Sequence, residues 1–148
     1  EGEISYMIPH DTLYCPDHFK NCQLPATPIN DKLAFGFSVP GTHNFPMQFF
    51  EAKYVLTADP FPLTHVNDPE NEMSHKLNER FLAVRDEYFE QEATFDMGNG
   101  ITFTIWRRTV APTRAEVEYY LSAFTEEDAK YPEMFSEIAE SWLAARGL

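Results

Sequence analysis

Asn99-Gly100 most constrains this chain. The pair sits between two runs of alternating residues, and both central positions of a two-residue hairpin turn need positive φ, which Asn and Gly tolerate best. Before it, Ala93, Phe95 and Met97 alternate with Thr94 and Asp96. After it, Ile101, Phe103 and Ile105 alternate with Thr102, Thr104 and Trp106. The pattern predicts a β-hairpin with one apolar face.

Helical signals flank the hairpin. Upstream, Asp68 is a candidate N-cap with Pro69 at the first helical position, and Met73, Leu77, Phe81, Val84 and Tyr88 recur at helical spacing. Downstream, Thr113 and Glu116 form the S/T-x-x-E pattern of a capping box, and Val117, Tyr120, Leu121 and Phe124 make one apolar stripe. After Tyr131-Pro132, the residues Met134, Phe135, Ile138 and Trp142 continue at helical spacing to a stop at Gly147.

In the first half, Ile4 to Ile8 and Leu33 to Val39 read as strands ended by Pro9 and by Pro40-Gly41. "FPMQFFE", residues 45 to 51, predicts a short helix. "KYVLTA", residues 53 to 58, predicts a buried strand ended at Asp59-Pro60. Strands alternating with helices, plus the late hairpin, give an α/β fold with a mixed β-sheet covered by helices. Any crevice of a parallel strand at 53 to 58 is expected beyond its carboxyl end, near Asp59, Thr64 and His65. No internal repeat or low-complexity tract divides the 148 residues, which suit one domain.

The chain carries 11 Lys and Arg against 24 Asp and Glu, a formal charge of -13, so a nucleic-acid backbone is repelled. With 43% hydrophobic and 15% aromatic residues it has the apolar material for a core, unlike a disordered segment. No apolar run approaches the roughly 18 residues of a membrane span. A start at Glu1 is what a processed or truncated product would have.

Candidate chemistry is sparse. His10, Cys15, His18 and Cys22 bring four potential zinc ligands into 13 residues, but not at the paired short spacings of zinc fingers. Cys15 and Cys22 alone suit either a small disulfide loop or two reduced thiols. In "GFSVPG" Pro40 stands where a serine elbow needs its second glycine, which favours Ser38 as an ordinary strand residue. "GNG", residues 98 to 100, joins strands and has no following helix to face a phosphate. His43, His65 and His75 have no partner at suggestive spacing. Trp106, Arg107 and Arg108 form an aromatic-basic exit from the hairpin. The arginines suit a phosphate or sugar phosphate, but alternation puts them on opposite faces, and pairing with local carboxylates is the simpler expectation.

The order of "EAKYVLTADP", a helix, "FDMGNGITFTIWRRTVAPTRAEVEYYLSAF" and "YP" resembles the C-terminal extracytoplasmic region of bacterial multi-pass membrane glycosyltransferases akin to protein O-mannosyltransferases. That region has a hydrophobic strand ending near Asn/Asp-Pro, a hairpin about a polar-Gly turn with an aromatic second strand and a basic exit, then a helix leading to Tyr-Pro. The likeness covers roughly residues 50 to 132, and more loosely "ISYMI" and "HDTLYCPDHF". It implies a parent at the extracytoplasmic face of the bacterial membrane. That parent would transfer a sugar from a polyprenyl-phosphate carrier and would use a divalent metal.

The parent's catalytic acid belongs to its membrane part, so the resemblance carries over no catalytic residue and implies no cofactor for this region. It implies an accessory domain, inactive alone, whose partners are the membrane portion of the same polypeptide and an acceptor protein or glycan. Two other expectations stand beside it. One is a freestanding small-ligand or protein binding module using the crevice near Asp59 with Phe61 or Trp106 as anchors. The other is a small metal-dependent hydrolase built on His10, Cys15, His18 and Cys22.

Overall fold

The structure is a computed structural model and describes residues 3–8, 33–35, 45–61, 69–127 and 132–148. Five strands, β1 (Ser5–Met7), β2 (Leu33–Phe35), β3 (Tyr54–Asp59), β4 (Phe89–Asp96) and β5 (Thr102–Arg108), form one sheet in the order β2-β1-β3-β5-β4. β1 lies parallel to β2 and β3, while β5 runs antiparallel to both β3 and β4. With the helices α1 (Met47–Glu51), α2 (Pro69–Tyr88), α3 (Arg114–Glu127) and α4 (Pro132–Arg146), this is the expected α/β fold with a mixed, helix-covered sheet.

The turn forms as its residues require. Asn99 and Gly100 both have positive φ, 55° and 77°, and the Ile101 N–H closes on the Gly98 carbonyl at 3.1 Å. β4 follows α2 without a loop. There the Tyr88 carbonyl, freed at the helix end, accepts from the backbone N–H and the hydroxyl of Thr109, at 2.9 and 3.1 Å. α4 ends at Gly147 (φ 69°), with the Leu148 N–H donating to the Leu143 carbonyl.

All four helices bury side chains against one face of the sheet. The five-residue α1 supplies Phe49, fully buried, whose ring contacts those of Tyr6, Phe81, Phe89 and Tyr120 at 4.9 to 6.3 Å. α2 adds Leu77 and Phe81, with Val84 and Tyr88 partly buried; α3 adds Val117, Tyr120 and Phe124; α4 adds Phe135, Trp142 and Leu143. Burying such rings stabilises by roughly 2 to 3 kcal/mol each, which is how so short a helix as α1 is held.

Two local expectations need correction. The hairpin's apolar stripe does not face the main core. Trp106 does, at 7% exposure beside Val55 and Phe81, whereas Phe103 lies on the reverse face in a smaller cluster with Met7 and Ala58, and Phe95 is 49% exposed. In β5 both faces are used, so simple alternation marked the lesser face. The capping box is half formed: the Glu116 N–H donates to Thr113 Oγ1 at 3.1 Å, but the Glu116 carboxylate turns to Arg108. The strand expected at residues 33 to 39 is seen as Leu33–Phe35; residues 36 to 39 and the N-cap Asp68 lie outside the described residues.

Candidate functional site

The residues singled out in the sequence do not converge. Asp59 lies at the carboxyl end of β3, while Thr64 and His65 lie outside the described residues, as do His10, Cys15, His18 and Cys22. Among the described residues no group of three or more His, Cys, Asp or Glu is placed to hold a metal ion, and no helix is long and apolar enough to cross a membrane.

Trp106 serves the interior. Its Nε1–H donates to Thr57 Oγ1 at 2.8 Å, and the Arg85 guanidinium lies over its ring at 5.1 Å. Arg107 points to the reverse face and pairs with Glu90 and, at 3.0 Å, with Glu92. Arg108 points inward, where Nη1 and Nη2 each donate to one carboxylate oxygen of Glu116 at 3.0 Å. The side chains are 8% and 0% exposed, and the Arg108 guanidinium also stacks on Phe89 at 4.4 Å. Burial raises the Glu116 carboxyl above its ordinary range, and the Arg108 bonds and charge only partly offset it. Burial likewise raises the phenols of Tyr6 and Tyr120, whose hydroxyls have no hydrogen-bond partner among the described residues.

At the carboxyl end of β3, Asn78 of α2 reaches the backbone of Ala58: its Nδ2 donates to the carbonyl at 3.0 Å and its Oδ1 accepts from the N–H at 3.4 Å. β1 pairs with β3 only as far as Met7 and Leu56, so the amide replaces a neighbouring strand for one residue more. Just beyond, Phe61 is buried with its ring 5.3 Å from that of His75.

The described residues form a groove at the opposite end of the sheet, where the chain passes from α1 into β3. Its volume is about 560 Å³. The end of α1 through Lys53 makes one side, the exit of β5 from Arg108 to Pro112 another, and Trp142, Arg146 and Leu148 of the α4 end the third. Glu51 organises it, accepting the Trp142 Nε1–H at 3.0 Å and pairing with Arg146, whose guanidinium lies 4.0 Å from the Trp142 ring centre. Lys53 at the mouth bonds Glu3 at 2.6 Å, which raises its pKa.

Of the sequence candidates only Arg108 lines this groove. Glu51, Lys53, Trp142 and Arg146 were not legible as a set, because Glu51 and Arg146 stand 95 positions apart and no local spacing links them. No known protein-family model, curated protein or solved structure matches this chain.

Proposed function

We propose that this chain is an accessory extracytoplasmic domain of a bacterial membrane glycosyltransferase that transfers a sugar from a polyprenyl-phosphate carrier. In this reading the domain is not catalytic alone and works with the membrane portion of the same polypeptide. The observation that carries the proposal is how the resembling residues are used. β3, α2, the hairpin and α3 pack as consecutive neighbours, and their distinctive polar groups are spent on folding: Arg108 on Glu116, Trp106 on Thr57, Asn78 on Ala58. A unit whose polar groups hold its own architecture suits support of chemistry performed elsewhere.

An antibody raised against this domain tests the proposal on fractionated cells. The expected product is in the membrane fraction at a mass well above 17.1 kDa, and deleting the domain from it should impair sugar transfer without removing the membrane part. A product found only in the soluble fraction at the mass of this chain would sink the reading. The groove favours a second reading, a freestanding binding module, for which ligand-dependent rises in melting temperature across a sugar and nucleotide set are expected.

A further inference from the structure

We propose that the groove beneath α1 binds an anionic small molecule with an apolar body, such as an alkyl phosphate, its head on Lys53 and Arg146 and its body along Trp142 and Val110. The inference goes beyond either functional reading and depends on neither.

Charge distribution is the first argument. The chain has only 11 Lys and Arg and a formal charge of -13, yet Lys53, Arg108 and Arg146 all line this groove; each is paired with one carboxylate, and of those partners, Glu3, Glu116 and Glu51, Glu51 alone among the described residues lines it. Within about 8 to 10 Å, the screening length in physiological salt, an entering ligand is governed by these groups more than by the distant net charge.

Donor supply is the second argument. Arg146, which lines the groove, spends Nη2 on Glu51, and its side chain is 39% exposed, which leaves further guanidinium N–H groups without a bond among the described residues. The Lys53 ammonium, also 39% exposed, bonds Glu3 and lies 5.3 Å from the Tyr54 ring centre, both outside the groove lining, and carries three N–H donors in all. Arg108, neutralised by both oxygens of Glu116, shapes the wall and leaves the anion to the other two cations. The remaining N–H groups of Arg146 and Lys53, both part-exposed, are the donors open to an acceptor-rich anion.

The apolar side is the third argument. Among the described residues the exposed large hydrophobics are Phe95, Val110 and Leu148, and two of these rim this groove. They continue the Trp142 and Pro112 surface, so a bare anion would leave that wall in water. A volume of about 560 Å³ accommodates a head group with a short chain.

Nuclear magnetic resonance on the 148-residue chain tests this, because its two Trp indoles give separate reporters: Trp142 in the groove and Trp106 in the core. Octyl phosphate, kept below its micelle concentration, should shift the Trp142 Nε1–H saturably and leave Trp106 unmoved. It should bind more tightly than inorganic phosphate or neutral octyl glucoside. Arg146→Gln and Lys53→Gln should each weaken binding roughly tenfold, while Arg107→Gln on the reverse face should not. Phosphatidylcholine vesicles with and without phosphatidylglycerol identify the source of the head group. A shift produced also by the anionic vesicles supports a lipid head group, and a shift confined to the soluble ester supports a free ligand. No saturable shift, equal binding of octyl glucoside, or unchanged affinity in both Lys53→Gln and Arg146→Gln would overturn the proposal.

Discussion

Arg107 and Arg108 are neighbours in sequence and opposites in the fold. Arg107 stands on the reverse face of the sheet, 40% exposed between two glutamates, whereas Arg108 is 8% exposed and held by both oxygens of Glu116. The same chemical group is thus a solvent-screened surface charge in one place and a desolvated structural element in the other. Environment decides its energetic weight, because screening and side-chain entropy erode the exposed pair and burial enlarges the consequence of breaking the inner one.

Removing one member of the inner pair gives the largest expected effect. Arg108→Met should lower stability in urea denaturation by about 3 to 5 kcal/mol, because Glu116 is left buried without its partner. Arg108→Met combined with Glu116→Leu should recover most of that loss. Equal losses in the single and double variants would show that shape, not charge pairing, sets the inner site. Asn78→Ala should cost about 2 kcal/mol, since it strips two bonds from the buried backbone of Ala58. Hydrogen exchange at Ala58 should quicken in that variant if the amide replaces a strand.

Arg107→Gln should change stability by less than about 1 kcal/mol, less still in high salt; a loss comparable to that of Arg108→Met would erase the contrast between the two faces. The finest test is the sign of the pH dependence. The Glu116 carboxyl is raised in the folded chain, so its contribution is fully present below its unfolded value and is lost as pH rises through the folded one. Arg108 is the charged neighbour that acts on it, and Glu116 in turn helps to raise the Tyr120 phenol. The stability of the unmodified chain relative to Glu116→Gln should therefore decline as pH rises from the ordinary carboxylate range. A relative stability that climbs instead would mean that the Arg108 attraction outweighs desolvation.

Much of the fold was legible because its signals are local. The Asn99-Gly100 turn, the Leu77 and Phe81 stripe after Pro69, and the Gly147 stop each depend on residues within a turn or two of one another. The site was less legible. Arg108 stands out in the sequence only as half of a basic pair and Glu116 only as a cap, because the bond between them joins a strand to a helix and follows neither period. Trp142 was legible as part of a helical stripe, but its meeting with Glu51 and Arg146 gave no signal, because contacts across 91 and 95 positions leave no periodicity.

By itself the sequence determined the order of strands and helices among the described residues, the hairpin turn, the α/β class and the acidic balance, since φ preferences, side-chain alternation and charge are properties of short stretches or of the whole composition. Only the tertiary structure decided which face of β5 meets the helices, which arginine is buried, and that α1, β5 and α4 meet in a groove at the amino end of β3. Those outcomes depend on desolvation and packing between residues far apart in the chain, and such energies exist only once the chain has folded.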